Sequence, residues 1–187
     1  MTEADRLLDA ALIHVPFDGW SEATLAAAAR DEGIDPALAR ALFPRGGVDL
    51  ALAYHRRGDA QMVAALAARD LSTLRVREKV ALARRLRLEQ ADREAVRRAA
   101  ALFALPQHAA DGARALWATA DAVWTALGDP SEDGNWYTKR AILAMVQGAT
   151  VLYWLGDDSP GAQATWEFLD RRLDGVMRFE MAKAQVQ

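Results

Sequence analysis

Apolar side chains recur along this chain at the spacing of an α-helix, and this pattern decides the fold class. The clearest example lies within residues 107–127, in the order i, i+1, i+4, i+7, i+8 and i+11; its members are Leu116, Trp117, Ala120, Val123, Trp124 and Leu127. Residues so spaced share one face of a helix. Strands depend on β-branched residues, yet Val, Ile and Thr together supply only about an eighth of the chain, against about a fifth for Ala. The sequence therefore predicts an all-α protein.

Capping residues, prolines and glycines divide the chain into about nine helices. The predicted helix starts carry a side chain that can accept a backbone hydrogen bond, in two cases followed by Pro; they are Ser21, Asp35-Pro36, Ser72, Asp92 and Ser159-Pro160. Pro16 is expected to end the first helix, and Gly33 the second. The helices are expected to form one all-α unit.

The residue types that usually carry catalysis are scarce. The absence of Cys excludes disulfides and thiolate metal sites. His14, His55 and His108 are scattered, and none has a second metal ligand at helical spacing. No Gly-rich phosphate loop or Gly-x-Ser-x-Gly elbow occurs. The sequence predicts no catalytic residue, no metal site and no cofactor, and a protein that is not an enzyme.

Neither a secretion signal nor a membrane span is predicted. The first residues are polar and acidic, without the basic start and apolar stretch of a signal peptide. The most apolar window, Ala141–Leu155, is shorter than the roughly 20 residues that a transmembrane helix needs. We expect a cytoplasmic protein that attaches, at most, to the inner face of the cytoplasmic membrane.

The first 50 residues resemble the helix-turn-helix head of TetR-type regulators, with two helices, a turn and a short third helix. We therefore divide the chain into a head at residues 1–47 and a ligand-binding or dimerisation bundle at residues 48–187. The third helix offers Leu38, Arg40 and Leu42 to DNA, among acidic neighbours, and the net charge is −3. Such a surface suits phosphates poorly. A transcription regulator that binds DNA and a hydrophobic effector remains the alternative function, and no nucleic-acid partner is predicted.

Basic residues outnumber acids over residues 75–98. Three interpretations stay open for this segment: a solvated helix face, attraction to an anionic membrane surface, or RNA binding. No aromatic residue lies between the arginines, which weakens the RNA interpretation because bases stack on aromatic rings.

Trp136 and Tyr137 stand at the predicted start of a helix, directly after Asp133-Gly134-Asn135. Aromatic residues at such positions are often partly exposed, and Trp and Tyr are enriched in binding hot spots. A hydrophobic staple that fixes the helix start is an equally good interpretation. The other late tryptophans have the spacing of core residues.

Several runs of sequence resemble one family, the accessory proteins of coenzyme Q (ubiquinone) biosynthesis that are ninth in the yeast Coq series. The matching residues are 11–21, Gly128-Asp129, Asp133, 135–141, 158–160 and 165–172. The resemblance covers about residues 5–178, and its most specific run is Asn135 to Arg140. The chain is similar to a bacterial member, because it lacks the transit segment of eukaryotic ones.

The resemblance implies a TetR-like fold without repressor function. It also implies that the protein binds quinone-type isoprenoids or phospholipid in an apolar pocket, docks on membranes and delivers demethoxyubiquinone to the di-iron hydroxylase of the pathway. The pocket residues that we expect are Leu116, Ala120, Ile142, Met145, Val146, Ala149, Leu169 and Leu173.

The family's surface for the hydroxylase maps onto Asp121, Val123, Trp136 and Tyr137. The expected membrane-contact residues are Val176, Met177, Phe179 and Met181. Since TetR-type folds dimerise through their last two long helices, the apolar stripes at residues 136–155 and 159–177 predict a homodimer.

Overall fold

The computed structural model describes residues 1–132 and 134–184, with side chains described to residue 175. These residues contain nine α-helices and two short 3-10 helices, joined by loops. No strand occurs among them, so the prediction of an all-α chain of about nine helices is confirmed. The helices are α1 (Glu3–Asp18), α2 (Glu22–Asp31), α3 (Pro36–Leu42), α4 (Gly47–Ala67), α5 (Val76–Glu89), α6 (Arg93–Phe103), α7 (Ala109–Ala126), α8 (Gly134–Leu155) and α9 (Gln163–Ala184).

Three of the predicted helix starts are confirmed by their hydrogen bonds. The side chain of Ser21 accepts from the backbone N–H of Thr24 at the start of α2, at 3.2 Å. Asp35 caps α3 in the same way and is followed by Pro36, and Asp92 caps α6. These side chains satisfy donors that the first helical turn cannot pair internally.

Two predicted boundaries are wrong. Helix α1 runs through Pro16 to Asp18, and it ends only at Gly19, whose φ is +64°. Proline near a helix end removes just one backbone hydrogen bond, and the carbonyl of Pro16 accepts a hydrogen bond from Arg98 Nη2 at 2.6 Å.

The helix predicted to begin at Ser72 begins instead at Val76. Its first turn is closed by Glu78, whose carboxylate accepts from the backbone N–H and the side chain of Arg75. These hydrogen bonds lower the pKa of Glu78 to about 2. The helix start is therefore fixed by Glu78, the third residue of α5, and not by the predicted cap Ser72.

The chain separates into two compact units. The first consists of residues 1–58 and 91–115, so α6 completes the core made by the N-terminal helices. Trp20 anchors this core: its indole N–H donates to the carbonyl of Ala95 at 3.0 Å, and its ring lies 5.5 Å from that of Tyr54. The division at residue 47 into a head and a bundle stays a prediction.

The second unit consists of residues 59–90 and 116–187, and helix α9 packs against both α5 and α8. On the α5 side, Arg77 pairs with Asp174 at 2.6 Å. On the α8 side, Tyr153 stacks on Phe168 with 4.5 Å between ring centroids. No helix among the described residues has the length and apolarity to cross a bilayer.

A candidate partner-binding site at the start of helix α8

A buried arginine organises the junction between α7 and α8. Arg140 is only 2% exposed, and its Nε donates to Asp121 Oδ1 at 2.6 Å. Its Nη1 lies 3.3 Å from both Asp129 Oδ2 and the carbonyl oxygen of Trp136. The planar guanidinium can make these contacts at once because its donors project in a fixed fork. Arg140 thus ties the end of α7, the following loop and the first turn of α8 together.

Asp129 is the anionic centre of this loop. Its side chain is 2% exposed, and its Oδ1 accepts from Lys139 Nζ at 2.7 Å. Burial opposes ionisation of the carboxyl, but hydrogen bonds from Lys139 and Ser131 outweigh it, so the pKa of Asp129 lies below its usual value. The loop is therefore held by a charged network at neutral pH.

An aromatic cluster lies beside this network. The rings of Trp136 and Tyr137 meet edge to face, with centroids 4.8 Å apart. Trp117 of α7 lies 5.9 Å from Trp136 and 6.4 Å from Tyr137. The guanidinium carbon of Arg140 stands 3.9 Å from the centroid of the Trp136 ring, a cation–π contact. Trp136 is thereby fixed on one side by a buried charge and on the other by a second indole.

The cluster presents an aromatic surface at a rigid helix start. Tyr137 is 66% exposed, Trp136 is half-buried, and the carboxylate of Asp121 is 43% exposed. Val123 is completely buried, beneath this surface rather than on it. Trp and Tyr side chains are enriched in protein-binding hot spots, so this surface is a candidate for one. We call Asp121, Trp136 and Tyr137, with Arg140 behind them, the α8 aromatic site.

The predicted pocket residues divide by burial. Ala120, Val146, Leu169 and Leu173 are buried; Leu116, Ile142 and Ala149 are half-buried; Met145 is 67% exposed. Helices α7 and α8 approach closely at Gly148, where a Cβ atom would lie 3.3 Å from Leu116 Cδ1. Most of the set therefore lies at apolar interfaces within the second unit, while Met145 faces outward on α8. Together they are candidates for a binding region, and their role stays a prediction.

The basic segment at residues 75–98 is largely neutralised. Most of its arginines lie within ion-pair distance of a carboxylate: Arg75, Arg77, Arg85, Arg87, Arg97 and Arg98. Arg84 and Arg87 are buried, so a fully solvated helix face does not describe the segment. No cluster of three or more possible metal ligands occurs in the described part of the chain. The side chains of Val176, Met177, Phe179 and Met181 lie outside the described residues.

Residues 109–180 match the sequence model of the COQ9 family. The chain is also 34% identical over 188 residues to "Ubiquinone biosynthesis protein COQ9, mitochondrial" of Drosophila melanogaster, and 31% identical over 196 residues to the human protein of that name. Each alignment includes 97% of this chain. The chain is thus similar to COQ9 proteins over nearly all of its length, and to the family model over residues 109–180. The resemblance predicted from the sequence is confirmed, and the chain spans 57% and 60% of the length of these two COQ9 proteins.

A solved structure supports the same fold. The TetR transcriptional regulator from Nitrosomonas europaea superposes with a TM-score of 0.73, over 91% of this chain and 95% of its own length. Its sequence is 18% identical, so the likeness concerns the fold alone. The TetR-like fold predicted for this COQ9 relative is confirmed.

Of the runs that carry the resemblance, those at Gly128-Asp129 and residues 135–141 contribute to the α8 aromatic site and the charged network behind it. Trp136 and Tyr137 were predicted to face a partner, and the structure leaves Tyr137 the more exposed of the two. Sequence reasoning missed the roles of Arg140 and Lys139 in holding Asp129. The available signal was the i, i+4 spacing of Trp136 and Arg140, which permits a ring–guanidinium contact on one helix face.

Proposed function

We propose that this chain acts in ubiquinone biosynthesis as a non-catalytic accessory protein. In this role it binds an isoprenoid quinone intermediate or a phospholipid and presents demethoxyubiquinone to the di-iron hydroxylase of the pathway. The similarity to COQ9 proteins, which are named as ubiquinone biosynthesis proteins, supports a role in this pathway. The single observation that carries the docking role is the α8 aromatic site, since its exposed rings are held by a buried charge network.

The lipid-binding part of the proposal is supported by the composition of the second unit. The side chains predicted to line a pocket come from α7, α8 and α9, and they are apolar or small. Lipid sites are mostly apolar with a few placed polar groups. A peripheral membrane position follows as part of the proposal, because a protein that handles such lipids must reach the bilayer that holds them.

A homodimer is also proposed. Met145 and Leu152 are seven residues apart on α8, so they share one face, and they are 67% and 68% exposed. Tyr153, 40% exposed, borders them and stacks on Phe168 of α9. An apolar face on this helix suits self-association of the kind that TetR-type folds use.

The alternative, a DNA-binding regulator, has the fold in its favour but not the charge. Arg40 of α3 pairs with Glu22 at 2.7 Å, and Arg45 pairs with Asp49 at 3.0 Å and with Asp111 at 2.9 Å. Arginines already paired with carboxylates are poor ligands for phosphates. We expect no retarded DNA band in a gel-shift titration at low salt, and a retarded band that disappears in the Arg40→Ala variant would favour the regulator.

The docking experiment compares lysine substitutions of two aromatic residues, one at the α8 aromatic site and one away from it. Trp136→Lys should reduce capture of the di-iron hydroxylase by the immobilised chain at least about tenfold, the effect of losing one hot-spot side chain. Phe17→Lys is the matched control, because Phe17 is 83% exposed and lies on α1 of the other compact unit. Far-ultraviolet circular dichroism checks that both variants keep their helices. Equal capture by the two folded variants would count against docking at this site.

A further inference from the structure

Two nitrogens of a buried guanidinium in the second unit lack a hydrogen-bond partner within the described part of the chain. Arg84 of α5 is 1% exposed, and it is the largest of the fully buried side chains. Its Nε and Nη1 have no hydrogen-bond partner among the residues that the structure describes. Buried arginines are ordinarily paired or hydrogen-bonded, since an unpartnered buried charge is strongly unfavourable. Arg84 therefore requires an explanation beyond packing.

The carboxylate that attracts Arg84 is that of Asp59, and it already accepts hydrogen bonds from other side chains. Asp59 Oδ1 accepts from Arg87 Nε at 2.8 Å, and both Asp59 oxygens lie 2.9 Å from the hydroxyl of Thr119. Asp59 therefore does not accept a hydrogen bond from Arg84 Nε or Nη1. Burial, with repulsion from Arg87, lowers the pKa of Arg84 to about 9 despite attraction from Asp59. Arg84 is thus still protonated at neutral pH.

Arg84 lies on the same side of α5 as the residue that contacts α9, the helix that carries two of the predicted pocket residues. Arg84 follows Arg77 by seven residues, so the two share one side of α5. Arg77 pairs with Asp170 and Asp174 on α9, at 3.3 and 2.6 Å. Leu169 and Leu173, two of the predicted pocket residues, are buried on the same stretch of α9. Arg84 therefore lies on the side of α5 that carries the contacts of Arg77 with α9.

We propose that Arg84 is the polar anchor of a bound amphiphile and that it pairs with an oxyanion in the lipid's head group, a carboxylate or a phosphate. This inference rests on the lipid-binding function proposed above. An oxyanion supplies both the acceptors that the guanidinium fork needs and a negative charge. The carbonyl oxygen of a neutral quinone would supply an acceptor only. An acidic lipid is therefore the ligand class that this site selects.

The first test needs no variant. Oleate and oleyl alcohol have the same chain and differ in the charge of the head group, so their affinities for the natural protein isolate the contribution of the anion. Binding is followed by tryptophan fluorescence at pH 7.5, below the micelle concentration. We expect oleate to bind roughly 10- to 100-fold more tightly, as a charged hydrogen-bonded pair predicts. Equal affinities would exclude a carboxylate ligand, and equal affinities in the phosphate pair described below as well would overturn the assignment while leaving lipid binding itself intact.

A second comparison assigns the effect to Arg84. In the Arg84→Met variant the preference for oleate should fall to within about threefold, whereas Arg85→Met should keep it. Arg85 is the neighbouring arginine, with 49% of its side chain exposed and a partner in Glu89. An undiminished preference in Arg84→Met would refute the proposal. If Arg84→Met does not fold, the charged-against-neutral ligand comparisons on the natural protein still decide.

Three further ligands distinguish a carboxylate from a phosphate and test whether a neutral quinone binds instead. Dioleoyl phosphatidylglycerol against dioleoylglycerol repeats the charge comparison with a phosphate, so a preference in only one of the two pairs tells carboxylate from phosphate. Decylubiquinone tests the neutral acceptor. Loss of decylubiquinone binding in Arg84→Met, with oleate binding unchanged, would overturn the proposal in favour of the quinone. If none of these lipids binds, both this inference and the proposed function fail.

Discussion

Replacing Arg140 by methionine should destabilise the second unit, because the side chain links three groups around the α7–α8 junction. Methionine fills a similar length but carries neither charge nor donors. The substitution removes hydrogen bonds to Asp121 and Asp129 and the cation contact with the Trp136 ring. The Arg140 side chain is 3% exposed, so solvent screens these interactions little.

The expected loss is about 3 kcal/mol in the free energy of unfolding. Removing one partner of a buried ion pair costs about 3–5 kcal/mol. The lower end applies because Asp129 keeps Lys139 and Ser131, and because Asp121 is partly solvated. For a chain of this size that loss corresponds to a fall of roughly 6–12 °C in the melting temperature.

The assay is urea unfolding followed by tryptophan fluorescence, which reports directly on the indoles around Arg140. Arg172→Met is the matched control: its guanidinium also lies over a ring, that of Phe168 at 4.8 Å, but the residue is exposed. The control should lose less than about 1 kcal/mol. If Arg140→Met also loses less than about 1 kcal/mol, the claim that Arg140 organises the site is wrong.

Two other predictions concern the same unit. The native pKa of Asp129 is lowered, so its contribution to stability is complete above the unfolded pKa of about 3.9 and is lost as pH falls through the native pKa. The difference in unfolding free energy between the natural protein and Asp129→Asn should therefore be constant from about pH 7 to 5 and shrink below about pH 4; a difference that stays constant to pH 3 would contradict this. Light scattering should give the mass of a dimer, with Met145→Glu shifted toward monomer, and a clean monomer for the natural protein would reject the proposed homodimer.

Local chemistry made most of the fold predictable. Ser21, Asp35 and Asp92 act within three residues of their own position, so the sequence pattern alone identifies them as caps. Pro16 and Ser72 failed as boundary signals for the opposite reason. The carbonyl of Pro16 itself accepts a hydrogen bond from Arg98, which is distant along the chain, and Glu78 closes the first turn of α5 in place of Ser72.

The site was predictable in its aromatic half only. Trp136 and Tyr137 stand out because two large rings follow a turn at a helix start. Arg140, by contrast, pairs with acids 11 and 19 residues earlier, and no sequence pattern identifies which carboxylate a given arginine will meet. In the sequence, Arg84 looks like the other arginines of the basic segment. Only the structure shows that it is buried and that two of its nitrogens have no described hydrogen-bond partner.

The most direct test of the proposed function is the lipid content of the chain purified under native conditions. Organic extraction followed by mass spectrometry should return a prenyl quinone or a phospholipid in an amount comparable to that of the protein. A protein of similar size, purified in the same way, sets the background. Lipid at no more than that background would contradict the central claim that this helical protein binds and presents a lipid.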